Sequence, residues 1–162
     1  MTDGATITIR AATAADANAI GRLGALLVRT HYEFDAQRFL PPTPQTAEGY
    51  GSFLASQVKQ PNVAILVATH GEEVVGYTYA GNEGHDWMAL RGPAGVVYDV
   101  VVDPAHRKQG IGRKLLDAAL AALKAKGAPR VVLSTAEQNH GAQQLFASAG
   151  FRRTMIEMTK EL

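Results

Sequence analysis

Residues 107–112 form a short stretch rich in glycine and basic side chains. They are Arg107, Lys108, Gln109, Gly110, Ile111 and Gly112, followed by Arg113 and Lys114. An apolar run precedes the stretch and a helical pattern follows it, and the N-terminus of a helix presents unpaired N–H groups to anions. Glycine lets the backbone approach a ligand closely, and basic side chains add positive charge. The stretch indicates a diphosphate site, with a glycine-rich turn bearing solvated basic residues as the alternative.

Two familiar phosphate motifs do not fit this stretch. The chain contains no Gly-x-x-x-x-Gly-Lys-Ser/Thr, and the position three beyond Gly112 is Leu115 rather than glycine. The first observation excludes a Walker loop and the second a dinucleotide fingerprint. A nucleotide-binding domain is therefore disfavoured.

An acidic residue, Asp99, interrupts the β-branched run of residues 95–102, which is typical of a buried central strand. Burial raises the pKa of a carboxyl group and makes it require polar partners. Strand alternation predicts Asp99 and Val101 on one face of the sheet, with Tyr98, Val100 and Val102 on the other. Asp99 is a candidate general base. The alternative is that it hydrogen-bonds backbone or orders water.

Composition narrows the kinds of chemistry open to the chain. There is no cysteine, which excludes a thiolate nucleophile and disulfides. The five histidines lack the spacing of metal ligands, so we expect no metal. The net charge of +1 gives no basic field for nucleic acid, and no apolar run is long enough to span a bilayer. These features, with no signal-like N-terminus, predict a cytoplasmic protein of one domain, residues 1–162.

The surrounding pattern alternates strands and helices. A strand at residues 7–10 is followed by a capping box at residues 13–16 and a helix ending near Arg29. Prolines exclude a helix from the following loop, and a second helix begins near Thr46. Residues 63–69 and 73–80 form a hairpin. After the basic stretch we expect a helix to Lys126, a strand at 131–134, a helix capped by Asn139, and a last strand at 151–158.

Residues 102–116 closely resemble the main signature of the GCN5-related N-acetyltransferase (GNAT) superfamily. That signature is Arg/Gln-x-x-Gly-x-Gly/Ala after a strand ending in Val-x-Pro, and a helix with paired leucines follows it. A second family segment also matches, with Asn139, Ala142, Leu145-Phe146 and Ala149-Gly150-Phe151. The two segments stand in the family's order, with one strand between them, and together span residues 96–151.

The resemblance implies an α/β (α+β) fold, in which a mixed, splayed sheet is flanked by about four helices. It also implies acetyl-CoA as cosubstrate and no metal. Backbone groups of Val100, Val101 and Val102 would pair with the pantetheine arm, and an amide near Val100 or Val101 would polarise the acetyl carbonyl. Amides of residues 107–112, with Arg113 nearby, would hold the pyrophosphate. Asn139 would lie near the pantetheine or sulfur end, and its capping role is an equally good explanation. Phe146 is also expected among the residues that bind the cofactor.

The expected reaction is direct acetyl transfer to a primary amine of a small molecule, amino acid or peptide. In related diamine acetyltransferases the central strand carries acidic residues, and Asp99 is in register with one of them. A base has been proposed in that subgroup at the neighbouring strand position. This chain has Tyr98 at that position. Many members have a tyrosine where this chain has Phe146, and that tyrosine is the usual candidate for protonating the thiolate. Phenylalanine cannot do so, and the resemblance assigns the role to no residue here: either another group or water serves, or the thiolate leaves unaided.

The acceptor site is expected in the loops flanking the central strand. Acidic and aromatic side chains there could attract and pack on a cationic amine. The candidates are His31, Tyr32, Glu33, Phe34, Asp35, Arg38, Glu83, His85, Asp86 and Trp87. The competing hypothesis is a non-catalytic acyl-CoA-binding module, supported only by Phe146. Homodimers are common in the family, so a second copy is among the expected partners.

Overall fold

The computed structural model describes residue 4 and residues 6–162, and one five-stranded sheet organises them. In chain order the strands are β1 (Ile7–Ala11), β2 (Val63–His70), β3 (Glu73–Glu83), β4 (Ala94–Val102) and β5 (Val131–Leu133). The helices are α1 (Ala17–Phe34), α2 (Thr46–Gln57), α3 (Ile111–Ala125) and α4 (His140–Ser148). The sheet order is β1-β2-β3-β4-β5, and only β4 and β5 are parallel. This confirms the predicted mixed α/β fold with four helices.

Helices cover both faces of the sheet. On one face, Ile20 and Leu23 of α1 and Leu54 of α2 pack against Val67 and Tyr77. On the other face, α3 supplies the apolar stripe Ile111, Leu115, Leu116, Ala119 and Leu123. Because each helix is apolar along only one stripe, burying that stripe against the sheet stabilises both partners. No helix in the described part of the chain is long and apolar enough to cross a membrane.

Two glycines let α1 and α2 approach closely. A Cβ placed on Gly21 would lie 2.2 Å from the carbonyl oxygen of Ala47, and one on Gly51 would lie 2.3 Å from that of Ala17. Only residues without a side chain can form this contact. A third glycine, Gly24, makes room for the ring of Tyr50, which a Cβ would approach to 2.3 Å. The α1–α2 pair therefore fixes the position of Tyr50 over the sheet.

The parallel pair β4–β5 is short. β5 pairs with β4 only at Gly95, Val96 and Val97, so no described strand lies on that side of the remainder of β4. The predicted splay of the sheet is therefore present. It opens a cleft between β4 and the loop that follows β5.

A β-bulge in β4 corrects the predicted alternation. Tyr79 pairs with Asp99 and Ala80 pairs with Val97, which leaves Tyr98 as the extra residue. The Tyr98 ring lies 4.7 Å from that of Tyr79, whose ring in turn contacts Phe53 of α2. Tyr98 therefore lies on the α1–α2 face, together with Asp99. The prediction that Tyr98 shares a face with Val100 and Val102 was wrong, because one inserted residue shifts the alternation.

One helix boundary and one predicted strand also differ from the predictions. Helix α1 continues to Phe34 rather than Arg29, because the prolines that exclude helix begin only at Pro41. The strand predicted at residues 151–158 does not form. Within the described part of the chain no strand pairs with these residues, and almost all of their side chains are exposed.

Candidate active site

A cavity of about 460 Å³ occupies the splayed cleft. Its walls come from the second half of α1, the loop after α1, the middle of β4, the end of β5 and the start of α4. Asp99, His31, Asn139 and Phe146 all contribute to its lining. The cavity therefore brings together residues of the central strand, of the second family segment and of the predicted acceptor region.

Asp99 is buried at the edge of this cavity, with 8% of its surface exposed. Tyr50 donates a hydrogen bond to its Oδ2 at 2.6 Å, and Tyr77 donates to the same oxygen at 2.9 Å. Among the described residues none donates to Oδ1. One carboxylate oxygen is thus held by two phenols, and the other is left to accept a proton or a hydrogen bond from a bound molecule.

Burial raises the pKa of Asp99 above the usual aspartate value. The hydrogen bonds from Tyr50 and Tyr77 and the nearby His31 act in the opposite direction, and burial outweighs them. Burial also raises the pKa of both phenols, and the carboxylate adds to that rise. The tyrosines therefore keep their protons and remain donors. Ionised Asp99 is therefore a stronger base than an exposed aspartate, which is the direction that general base chemistry favours.

Sequence reasoning did not find the two tyrosines. Tyr50 and Tyr77 lie 49 and 22 residues from Asp99 along the chain. Tyr50 lies in the predicted second helix, and nothing in the sequence of that helix indicates a role for its hydroxyl. Its hydroxyl reaches Asp99 because the glycine contact sets α2 close to α1. Tyr77 appears in the sequence as an ordinary strand residue, and only the register of β3 against β4 brings it beside Asp99.

A second acidic group lies beside the cavity. Tyr98 lines the cavity and its hydroxyl donates to Glu83, whose other oxygen accepts from Arg91 at 2.7 Å. Burial and the adjacent carboxylate raise the pKa of Tyr98, so it too stays protonated. Glu83 was predicted in the acceptor region, and it reaches the cavity only through Tyr98.

The other acceptor candidates divide into two groups. His31 and Arg38 line the cavity, and His31 Nδ1 lies 2.8 Å from the carbonyl oxygen of Leu27. The remaining candidates do not line it: Tyr32, Glu33, Phe34, Asp35, His85, Asp86 and Trp87. Asp35 instead accepts from the amides of Gln37 and Arg38, which shapes the loop after α1. Trp87 is 75% exposed and stacks on His85.

The basic loop leads directly into α3. Gly110 precedes the helix with φ of 76°, in the left-handed region that favours glycine, and Lys108 has φ of 61°. No backbone or side-chain group in the described part of the chain accepts from the amides of residues 108–113. A row of free amides at a helix N-terminus is able to bind an anion.

The basic side chains of this loop differ in their surroundings. Arg107 donates to the carbonyl oxygen of Val102 at 3.3 Å, and Lys108 and Gln109 are exposed. Arg113, expected near the pyrophosphate, is paired with Asp117 at 2.9 Å. Its charge is therefore partly neutralised, and Arg107 and Lys108 are the cations in this loop that no described carboxylate pairs.

The remaining predicted donor-site residues surround the cleft. Val100 lines the cavity, Val101 is buried against α1 and α2, and Val102 packs towards α3. Asn139 accepts from the amide of Ala142 at 3.1 Å, so it caps α4 while it also lines the cavity. Phe146 lines the cavity and packs against Phe151. In the described part of the chain no three acidic or histidine side chains group as metal ligands.

Known proteins share both the sequence and the fold of this chain. The Acetyltransferase (GNAT) family pattern matches residues 26–151. A mycothiol acetyltransferase of Thermobispora bispora is 38% identical over 108 residues, covering 67% of this chain and 32% of the relative. The chain spans only a third or less of the length of the first such relatives.

Two solved structures illustrate the fold. A mutant of the BH1408 protein from Bacillus halodurans has a TM-score of 0.80 and 24% identity, covering 96% of this chain and 99% of that one. The aminoglycoside N-acetyltransferase AAC(6')-Iy, in complex with CoA, has a TM-score of 0.73 and 15% identity, covering 100% of this chain and 98% of that one. With the family pattern covering most of its length, the chain belongs to the acetyltransferase (GNAT) family.

Proposed function

We propose that this protein transfers an acetyl group from acetyl-CoA to a primary amine of a small molecule, amino acid or peptide. The observation that carries the proposal is Asp99, a buried carboxylate at the cavity that accepts two tyrosine hydrogen bonds on Oδ2 and none from a described residue on Oδ1. The free amides of the basic loop and the open edge of β4 beyond Val97 are the features that would bind the donor. The mycothiol acetyltransferase relatives agree with this class of reaction.

Two features of the chain would bind acetyl-CoA, one its diphosphate and the other its pantetheine arm. Free amides of residues 108–113, with Arg107 and Lys108, would hold the diphosphate. Beyond Val97 the unpaired edge of β4 would hydrogen-bond the pantetheine arm as an added strand does. Acetyl-CoA supplies an activated thioester carbonyl when bound. The likeness of the fold to an acetyltransferase in complex with CoA supports this choice of ligand.

The role of Asp99 is to take a proton from the acceptor. An alkylammonium group has a pKa near 10, so it must lose a proton before it can attack a carbonyl. Oδ1 of Asp99 is the oxygen free to receive that proton, either directly or through one water. Burial raises the pKa of Asp99 and strengthens it as a base, while the Tyr50 and Tyr77 hydrogen bonds fix its orientation.

No protein acid is assigned to the departing thiolate. Phe146 lies at the cavity wall where many relatives carry a tyrosine, and its ring has no proton to give. A thiol has a pKa near 8.5, so its thiolate leaves with little assistance. We infer that this chain relies on the thiolate's own stability, with solvent supplying the proton.

The acceptor should be cationic and partly apolar. Asp99 is the buried acid of the cavity, and Glu83 lies next to it behind Tyr98. Leu27, Val28 and Phe39 give the opposite wall an apolar surface. An amine attached to a short apolar body fits these surroundings, because the carboxylates attract the ammonium group and the wall packs on the body.

The test measures thiol release from acetyl-CoA with a panel of polyamines, amino acids, aminoglycosides and peptides. Asp99→Asn should lower kcat at least a hundredfold while leaving CoA affinity unchanged. Glu48→Gln is the matched control, since it removes an exposed carboxylate from α2 and should change nothing. Turnover that survives Asp99→Asn would remove Asp99 as the base. Tight acetyl-CoA binding without turnover on any acceptor would favour the non-catalytic module.

A further inference from the structure

One ring nitrogen of His31 has no partner in the described part of the chain. His31 lies in the last turn of α1, and its Nδ1 is 2.8 Å from the carbonyl oxygen of Leu27, one turn earlier. A carbonyl oxygen only accepts, so Nδ1 carries the proton and the neutral ring has its lone pair on Nε2. The buried unpaired side-chain atoms of the described chain are Asn82 Oδ1 and His106 Nδ1, so Nε2 is accessible. Nε2 is therefore free to accept a proton.

Two aromatic rings hold the imidazole in place. The centre of the Phe39 ring lies 5.0 Å from that of His31, and the centre of the Phe34 ring lies 5.8 Å from it, both in edge-on contact. His31 and Phe39 both line the cavity. Packing and the Nδ1 hydrogen bond together restrict the ring, and a group fixed in this way is organised for proton transfer before a ligand binds.

The other side chains around the cavity leave few bases. Apart from the tyrosines that donate to Asp99, the titratable or charged residues of its lining are His31, Arg38, Tyr98 and Asp99 itself. Tyr98 keeps its proton, and Arg38 is a cation paired with Glu157 at 2.8 Å, so neither accepts a proton. A positive charge on His31 lowers the pKa of Asp99, so the two groups are close enough for their charges to interact. Asp99 and His31 are thus the two side-chain bases of the cavity in the part of the chain that the structure describes.

Acetylation of an ammonium group requires two protons to leave one nitrogen. A primary alkylammonium group has three N–H bonds and the amide product has one. Asp99 can take one of these protons on Oδ1, while its Oδ2 accepts from two phenols. A second base is needed if the first proton is still on Asp99 when the second one leaves.

We propose that His31 Nε2 is this second base, an inference that rests on the transfer reaction proposed above. Asp99 Oδ1 takes the first proton, and the lone pair of the neutral amine forms the C–N bond. The C–S bond breaks with its electron pair on sulfur, and the second proton passes from nitrogen to Nε2. One ammonium and one carboxylate charge thereby become one imidazolium and one thiolate charge. Solvent then takes the protons from His31 and Asp99 and protonates the thiolate.

A structural role for His31 makes different demands. A cation in the last turn of a helix interacts favourably with the free carbonyl groups there, and the bond to Leu27 holds the side chain in that position. Such a role uses Nδ1 and leaves Nε2 without a function. His31→Asn separates the two roles, because its amide group can still donate to the carbonyl oxygen of Leu27 but has no base at the position of Nε2.

The first test requires no turnover. Nitrogen-15 NMR of the histidine-labelled protein distinguishes the two neutral tautomers, and the signals lost in His31→Asn identify those of His31. We expect the proton on Nδ1 and a bare Nε2 at a pH where the ring is neutral. A proton on Nε2 would overturn the proposal, whether or not any amine is acetylated.

The second test measures kcat by thiol release with the fastest acceptor of the panel. His31→Asn should lower kcat at least tenfold, and the loss should shrink as the pH rises, because hydroxide can replace the missing base. His31→Ala should regain activity when imidazole is added to the solution. His70→Ala is the matched control: His70 ends β2 and does not line the cavity, so turnover should neither fall nor respond to imidazole.

Full activity in His31→Asn would assign His31 a structural role and overturn the proposal. A loss of activity that neither higher pH nor imidazole reverses would do the same. Failure of the transfer reaction itself looks different, since the wild type then acetylates no amine and His31 has no proton to take.

Discussion

At the scale of single residues, the pKa of Asp99 is set by opposing contacts. Burial raises it, and the hydrogen bonds from Tyr50 and Tyr77 lower it by stabilising the ionised form. Any change that removes one of those donors therefore raises the pKa further. If Asp99 is the base, the pH at which the enzyme gains activity must follow this pKa.

Tyr77→Phe tests that link. The variant removes one donor to Oδ2, and a hydrogen bond to a charged group contributes about 1.5 kcal/mol or more, so the acid limb of kcat/KM should shift upwards by about one pH unit. Activity at high pH should stay near that of the wild type. Tyr79→Phe is the control, because the Tyr79 hydroxyl makes no hydrogen bond with a described residue. An acid limb that does not move would show that Asp99 does not govern it.

At the scale of elements, the α1–α2 contact positions Tyr50, one of the two tyrosines that could not be predicted from the sequence. Gly51→Ala places a methyl group 2.3 Å from the carbonyl oxygen of Ala17, so the two helices must separate. We expect a loss of about 1–3 kcal/mol in the free energy of unfolding. Because Tyr50 is the neighbour of Gly51 on α2, kcat should fall as well.

The control for that variant is Gly49→Ala on the same helix. A Cβ at Gly49 meets nothing within 4 Å, and alanine is favoured over glycine in a helix by about 0.5–1 kcal/mol. Gly49→Ala should therefore stabilise the protein, as measured by urea unfolding. Equal effects of the two variants would mean that the helices are not held at the distance described.

The loop before α3 gives a second prediction at this scale. Gly110 has φ of 76°, a conformation that costs a residue with a side chain about 1–2 kcal/mol. Gly110→Ala should strain the loop and weaken CoA binding by about tenfold, measured by calorimetry. Gly141→Ala, at an open position within α4, should leave CoA affinity unchanged. If Gly110→Ala binds CoA as tightly as the wild type, the loop is not part of the donor site.

At the scale of the whole molecule, the features that could be predicted are those determined by neighbouring residues in the sequence. The run from β4 through the basic loop to α3 has a strong pattern in every element, and its fold was confirmed. The environment of Asp99 depends on the register of β3 against β4, on the α1–α2 contact and on one β-bulge. The contacts of Tyr50 and Tyr77, and the sheet face on which Tyr98 lies, could therefore not be predicted from the sequence. Residues 151–158 have a strand-like sequence, but no strand among the described residues pairs with them. The cytoplasmic location stays a prediction.

The last prediction concerns the stability of the whole fold when the donor binds. The basic loop begins α3, and α3 packs against strands β1 to β4, so a ligand held by the loop should stabilise the entire cooperative unit. At a hundred times its dissociation constant, acetyl-CoA should raise the free energy of unfolding by about 2.7 kcal/mol. S-acetylpantetheine, which lacks the diphosphate, should stabilise much less at the same concentration. Urea unfolding at one fixed protein concentration measures both, since dimerisation would otherwise contribute.

Lys108→Gln identifies the part of this effect that comes from the loop. Lys108 is exposed, so the unliganded variant should unfold at the same urea concentration as the wild type. Its stabilisation by acetyl-CoA should be smaller, because one cation beside the free amides is lost. The stabilisation by S-acetylpantetheine should not change, since that compound never reaches the loop. If the two compounds stabilise the wild type equally, the free amides of residues 108–113 take no part in binding, and the donor site lies elsewhere in the cleft.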